Sequence, residues 1–145
     1  MLDVTAPPSI RLLHETDLPA ALELWRATEG IGMSRTSDHL PELAAFLLRN
    51  PTTSFALCEG EELIGTILAG YDGRRGFIYH LAIRQDRQRG GFGKRLLEAA
   101  CEALRAVGAL KVHLFVLKAN EDACAFYRRL GWHERRDIQV FTLEL

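Results

Sequence analysis

No run of this chain approaches the ~20 apolar residues that cross a bilayer as a helix, which excludes a membrane-spanning segment. Cysteine is scarce and unpatterned: Cys58, Cys101 and Cys124 are odd in number and share no metal-ligand spacing. That removes a disulfide framework and a metal site, and it suits a reducing cytoplasm. Neither an internal repeat nor a low-complexity tract is present. The opening MLDVTAPPS lacks a cationic start and an apolar stretch, so residues 1–8 are expected to form a flexible tail and not a signal peptide. An excess of either charge is missing too: the formal net charge is −1, which disfavours nucleic acid as a partner. What remains is one globular domain, expected over residues 9–145. A chain of this size buries about 68–70% of its unfolded surface.

Against this neutral background, RQDRQRGGFGKR (residues 84–95) stands apart. It holds Arg84, Arg87, Arg89, Lys94 and Arg95 against one acid, Asp86, so the window carries +4 and the rest of the chain −5. A solvated helix start would favour acids, because basic residues there oppose the macrodipole. Cations where the dipole is already positive make sense when an anion is to be held. Periodicity supplies the setting. GFIYHLAI (Gly76 to Ile83) reads as a buried strand. Leu96, Leu97, Ala100, Leu104 and Val107 share one helical face, Gly108 is a stop signal, and KVHLFV (Lys111 to Val116) is a second strand. Strand, helix and strand at these lengths form a right-handed crossover between parallel strands, and such units bind ligands at the carboxyl ends of the strands.

Two familiar phosphate loops fail here. A P-loop would need glycine where Gln88 stands and a hydroxyl after Gly93-Lys94, where Arg95 follows. A dinucleotide fingerprint would need a third glycine at Leu96, and no acid ends a second strand about 20 residues on. A third pattern, Q/R-x-x-G-x-G/A, is met by Gln88, Gly91 and Gly93. Downstream, NEDACAFYRRLGW sets Asn120, Ala123, Phe126, Tyr127, Gly131 and Trp132 in the spacing N-x-x-A-x-x-F-Y-x-x-x-G-[FW]. Together with HLAIRQDRQRGGFGKRLLEAA, this stretch resembles the GNAT superfamily of acetyl-CoA-dependent N-acetyltransferases across residues 77–132. GTILAGYDGRRG (residues 65–76) further resembles its small stand-alone bacterial members of the YpeA type.

The remaining elements agree with that resemblance. Ile10 to Leu13 is a first strand; Thr16 or Asp17 caps a helix carrying Leu18, Leu22 and Trp25. Ser37 caps a second helix with Leu40, Leu43, Ala44 and Leu47. SFALCE and LIGTILAGY pair as a hairpin across Gly60-Glu61. Asp122 starts a short helix ending at Gly131, and QVFTLEL is a last antiparallel strand. The expected fold is α/β: a mixed, mostly antiparallel sheet of six or seven strands, one parallel crossover, and four helices on both faces.

The resemblance implies where the chemistry sits. Backbone N–H groups from Gln88 through Arg89, Gly90, Gly91, Phe92 and Gly93 to Lys94 would hold the pyrophosphate of acetyl-CoA, with Arg87, Arg89 and Lys94 adding charge. The strand end Leu81, Ala82 and Ile83 would bind the pantetheine arm through main chain, with an N–H near Ala82 or Ile83 for the oxyanion. Asn120 would sit at the mouth of the split between the parallel strands. Tyr127 would protonate the departing thiolate; the other reading makes it a core aromatic. A base carboxylate common in the family is replaced by Phe77. Tyr79 would point the same way as Phe77 on a regular strand, and His80 the other way unless a bulge intervenes. His80 is then either a base in a useful titration range or a satisfied core residue. From Glu15 to Glu42 six acids face two arginines, and Glu29 with Asp72 would attract a cationic amine acceptor; a solvated acidic face is the other explanation. Two functions stay open, an N-acetyltransferase acting on a peptide N-terminus or small amine, and a non-catalytic acyl-CoA sensor. A homodimer is common in such proteins.

Overall fold

The computed structural model describes residues 7–145. The sequence-level tail at residues 1–8 therefore falls mostly outside the described residues. Two compact units divide the chain, one reaching Phe115 and one from Val116 to Leu145.

The first unit holds a five-stranded sheet in the order β1 (Ser9–Leu12), β2 (Phe55–Glu59), β3 (Glu62–Tyr71), β4 (Gly76–Ile83), β5 (Val112–Leu114). Every pairing is antiparallel except β4 with β5, the expected crossover. Helices α1 (Leu18–Ala27) and α2 (Leu40–Arg49) precede β2, and α3 (Phe92–Val107) links β4 to β5. Gly108 ends α3 at φ +114°, a left-handed conformation that glycine adopts without a Cβ penalty.

Alternation along the strands gives the sheet two buried faces. Ala56, Cys58, Leu68 and Ala82 pack with Leu18, Leu22, Trp25, Leu43 and Leu47 of α1 and α2. On the other face Ile64, Ile67 and Ile78 are buried, as are Leu96 and Leu104 of α3. Complete burial of a leucine contributes roughly 1.5–3 kcal/mol. The approach of α3 is close: a Cβ added at Gly76 would stand 2.9 Å from Leu104 Cδ1.

One helix start differs from the sequence reading. Prolines sit in the first turns of α1 and α2 and set both starts, since their fixed φ suits the helix and no N–H is lost there. His39, not Ser37, is the residue before α2, so Ser37 lies in the preceding turn. Asp17 does precede α1, but its carboxylate turns back to the His14 N–H (2.8 Å) and to Arg11 (2.7 and 2.9 Å). Among the described residues the sheet has five strands and not six or seven.

The second unit contains α4 (Glu121–Arg129). Asn120 caps it by accepting the Ala123 N–H at 3.1 Å. The expected last strand, residues 139–145, joins no ladder. Its alternating pattern is present, but a strand exists only with a partner; Val140, Phe141 and Leu143 are exposed instead. No helix among the described residues is long and apolar enough to cross a membrane.

Candidate active site

The cationic turn is a strained piece of backbone. After β4 a short turn at Gln85–Arg87 leads to Gln88 in extended conformation, then Arg89 at φ +68° and Gly91 at φ +81°, and α3 begins at Phe92. A left-handed arginine costs on the order of 1–3 kcal/mol. Left-handed residues alternating with others turn successive N–H groups into one concavity, an arrangement that binds anions. The first helical N–H groups, of Phe92, Gly93 and Lys94, lack intrahelical acceptors; the first bond at the helix start is Arg95 N–H to Gly91 carbonyl at 3.2 Å. A side chain at Gly91 would meet nothing within 4 Å, so the space above the loop is open. These residues suit a pyrophosphate.

Its cations divide into two groups. Arg87 grips Glu59 with two bonds of 2.8 Å, and Arg84 reaches Glu62 and Asp86. Both tie the loop to the β2–β3 hairpin, and the hydrogen bonds from Arg87 hold the Glu59 carboxyl below its usual range. Arg87 is thus an anchor of the loop and not the phosphate contact expected from sequence. Arg89 is exposed with no side-chain partner among the described residues. Lys94 lies 3.8 Å from Glu98, both exposed, a weak pair. Arg95 stands over the Phe92 ring at 5.7 Å. Gln88 donates from its side chain to the Ile83 carbonyl at 3.0 Å, bracing the loop against the strand end. Gly90 is tightly backed: a Cβ there would stand 3.0 Å from the Phe92 ring.

Strand β4 is paired on both sides only at its start. β5 reaches Gly76, Phe77 and Ile78. From Tyr79 to Ile83 the edge turned away from β3 has no strand partner among the described residues, while Leu81, Ala82 and Ile83 pair with Ile67, Thr66 and Gly65 on the other side. That edge offers backbone groups to an extended ligand.

A bulge decides the side chains. Leu68 pairs with His80 and Ala69 with Ile78, so Tyr79 is an extra residue in β4. The register places Phe77, opposite Gly70, and His80, opposite Leu68, on the side of α1 and α2. Period-2 alternation would have separated them, so the bulge foreseen as an exception is the case. Tyr79 is half-exposed, edge-on to Phe46 (5.7 Å) and stacked on Phe77 (6.2 Å). Desolvation, and then the charge of Asp72, push its hydroxyl above the usual range, so it stays protonated and is a poor base.

His80 is buried. Its Nε2 lies 2.9 Å from Asp38 Oδ1, and its ring is tilted against Trp25 with centroids 4.6 Å apart. Asp38 escaped sequence reading. It is 42 residues from His80 and lies in the turn before α2, with nothing local to mark it. Asp72 accepts the N–H groups of Arg74 and Arg75 (both 2.7 Å), which form the β3–β4 turn and hold its carboxyl ionised below the usual range. Glu29 is exposed in the turn after α1. Within the second unit, the Tyr127 ring is edge-on to Phe126 (5.1 Å) and Trp132 (5.7 Å), and its carbonyl accepts the Trp132 N–H.

Comparison with known proteins bears on what such a loop and strand edge do. The acetyltransferase (GNAT) family pattern matches residues 18–132. An acetyltransferase of Pectobacterium atrosepticum is 27% identical over 143 residues, spanning 92% of each chain. The crystal structure of the ribosomal-protein-S18-alanine N-acetyltransferase from Escherichia coli is 25% identical, with a TM-score of 0.73 over 89% of this chain and 79% of that one. A second fold match, at 21% identity and a TM-score of 0.75, is the PaiA N-acetyltransferase of Thermoplasma acidophilum in complex with coenzyme A, over 86% of this chain and 88% of that one.

Proposed function

The chain belongs to the GNAT family of acetyltransferases, and from that premise we propose that it moves the acetyl group of acetyl-CoA by direct attack onto a primary amine, preferring an α-amino group to a lysine side chain. The protein is an acyltransferase with acetyl-CoA as co-substrate. The observation that carries the reading is the loop from Gln88 to Lys94, where left-handed backbone, an open space above Gly91 and the start of α3 coincide. Next to it the free edge of β4 supports main-chain contacts from Leu81, Ala82 and Ile83 to the pantetheine arm.

The reaction needs a neutral nucleophile, a stabilised oxyanion and a proton for the thiolate. The amine nitrogen forms a bond to the acetyl carbon, the carbon–sulfur bond breaks, and the sulfur takes a proton. In this reading Tyr127 supplies that proton, and an N–H near Ala82 or Ile83 faces the oxyanion. Arg89 and Lys94 remain for phosphate. Asn120, as the cap of α4, acts first on the helix that carries Tyr127.

The α-amino preference rests on acidity. A lysine amine (pKa ~10.4) is almost wholly protonated at pH 7, whereas an α-amino group (~7.7–8.0) is appreciably neutral. The Escherichia coli relative named for alanine supports the same choice, since alanine carries no side-chain amine. Glu29 and the ionised Asp72 would draw the cationic form of the acceptor.

Binding and turnover test the reading separately. Gly91→Glu puts bulk and negative charge into the anion loop and is expected to weaken CoA binding about 10-fold or more; calorimetry giving wild-type affinity removes the loop assignment. Tyr127→Phe should lower kcat by about 10- to 10⁴-fold with KM for acetyl-CoA nearly constant, because the hydroxyl acts only as the thiolate forms. Unchanged turnover makes Tyr127 a packing residue.

A further inference from the structure

The two atoms that bind His80 and Asp38 together leave a third atom to account for. Asp38 is fully engaged: Oδ1 faces His80 Nε2 at 2.9 Å, and Oδ2 accepts the Ser34 N–H at 2.6 Å. A carboxylate oxygen accepts from an N–H, so the 2.9 Å contact sets a ring proton on Nε2 and leaves the lone pair of the base form on Nδ1. Nδ1 has no hydrogen-bond partner among the described residues. Yet among the described residues no wholly buried side-chain nitrogen or oxygen lacks a partner. Nδ1 therefore reaches accessible space, while the rest of the ring is covered, its side chain being 7% exposed and that of Asp38 6%. The ring cannot turn freely, because Trp25 lies against it and is itself fixed by donating to Thr66 Oγ1 at 2.8 Å.

A core role alone explains this poorly. Desolvating an acid and a base is costly, and an apolar pair of similar volume would stabilise as well or better. We propose that His80 Nδ1 is the general base of the acyl transfer and that Asp38 is its positioning residue, an assignment that rests on reading the chain as an amine acetyltransferase. The bulge at Tyr79 makes this possible, since without it His80 would leave the face that carries Asp38 and Trp25. As the amine nitrogen bonds to the acetyl carbon, its N–H proton passes to Nδ1, and the Asp38 carboxylate stabilises the imidazolium. The electron pair of the broken carbon–sulfur bond goes to sulfur, which takes the Tyr127 proton. Solvent then takes up the proton held by His80 and reprotonates Tyr127, leaving N-acetylated product and free CoA thiol.

The test uses the full chain and two readouts. Long-range nitrogen–proton NMR of the His80 ring should show the proton on Nε2 in the wild type and a mixed tautomer in Asp38→Asn. Steady-state turnover with an α-amine peptide should fall by about 10²- to 10⁴-fold in folded Asp38→Asn and in His80→Gln, with calorimetric CoA affinity unchanged. Asp38→Glu should recover part of the loss. A wild-type ring protonated on Nδ1 overturns the assignment, as does wild-type kcat in either folded variant. If Asp38→Asn fails to fold, His80→Gln and the wild-type tautomer still decide. A wild-type chain that acetylates no amine removes the functional reading instead, and the tautomer then judges the pair by itself.

Discussion

The two faces of the sheet are closed by different means. Toward α3 the contact is built on apolar side chains, with Leu96 and Leu104 wholly buried and Ile64 and Ile67 likewise. Toward α1 and α2 the same strands bury Thr66, His80 and Asp38 beside Trp25, each held by a hydrogen bond. Apolar closure asks nothing of geometry beyond shape. The polar closure fixes orientation, because a buried donor or acceptor left alone costs about 1–3 kcal/mol. The α1 and α2 face thus adds, to an apolar core of its own, polar groups held at fixed angles.

Substitutions on opposite faces should separate those roles. The largest effect belongs to the polar face. Asp38→Asn, or His80→Gln, is expected to raise the chemical barrier by about 2.7–5.4 kcal/mol, the equivalent of 10²- to 10⁴-fold in kcat. Next comes Leu104→Ala on the apolar face. It should cost about 2–5 kcal/mol of folding free energy by denaturant titration, with kcat near wild type below the transition. If Leu104→Ala instead slowed turnover as strongly as Asp38→Asn, the faces would not differ in the way described.

The smallest effect is expected where α1 begins. Hydrogen bonds from Arg11, and then from the His14 N–H, hold the Asp17 carboxyl below its usual range. A carboxyl depressed on folding adds stability that is complete above its unfolded pKa, about 3.9, and is lost as pH falls through the lower folded value. Arg11→Gln should remove at most about 1 kcal/mol at neutral pH, and nothing once both forms are protonated. A pH-independent loss would assign Arg11 a packing role.

Much of the fold was legible because its signals are local. The run GFIYHLAI is β4 to the residue, the hairpin turns where expected, and Gly108 stops α3. The start of α2 was misjudged where a hydroxyl was weighed above a proline. The last strand was misjudged because alternation reports propensity and not a partner. In the site, the anion loop was readable from glycine and charge, but the split among its arginines was not, since Glu59 and Glu62 come from another hairpin. The bulge at Tyr79 leaves no mark in an unbroken apolar run, and the Asp38–His80 pair is joined by tertiary structure alone.

Matched peptides that each offer one amine, either the α-amino group or a lysine side chain, test the central claim most directly when CoA thiol release is followed from acetyl-CoA. At pH 7 the account predicts acetylation of the amine, with kcat/KM higher for the α-amino peptide by about 10-fold or more, given the gap between pKa ~8 and ~10.4. Equal rates, or a preference for the lysine peptide, would contradict it.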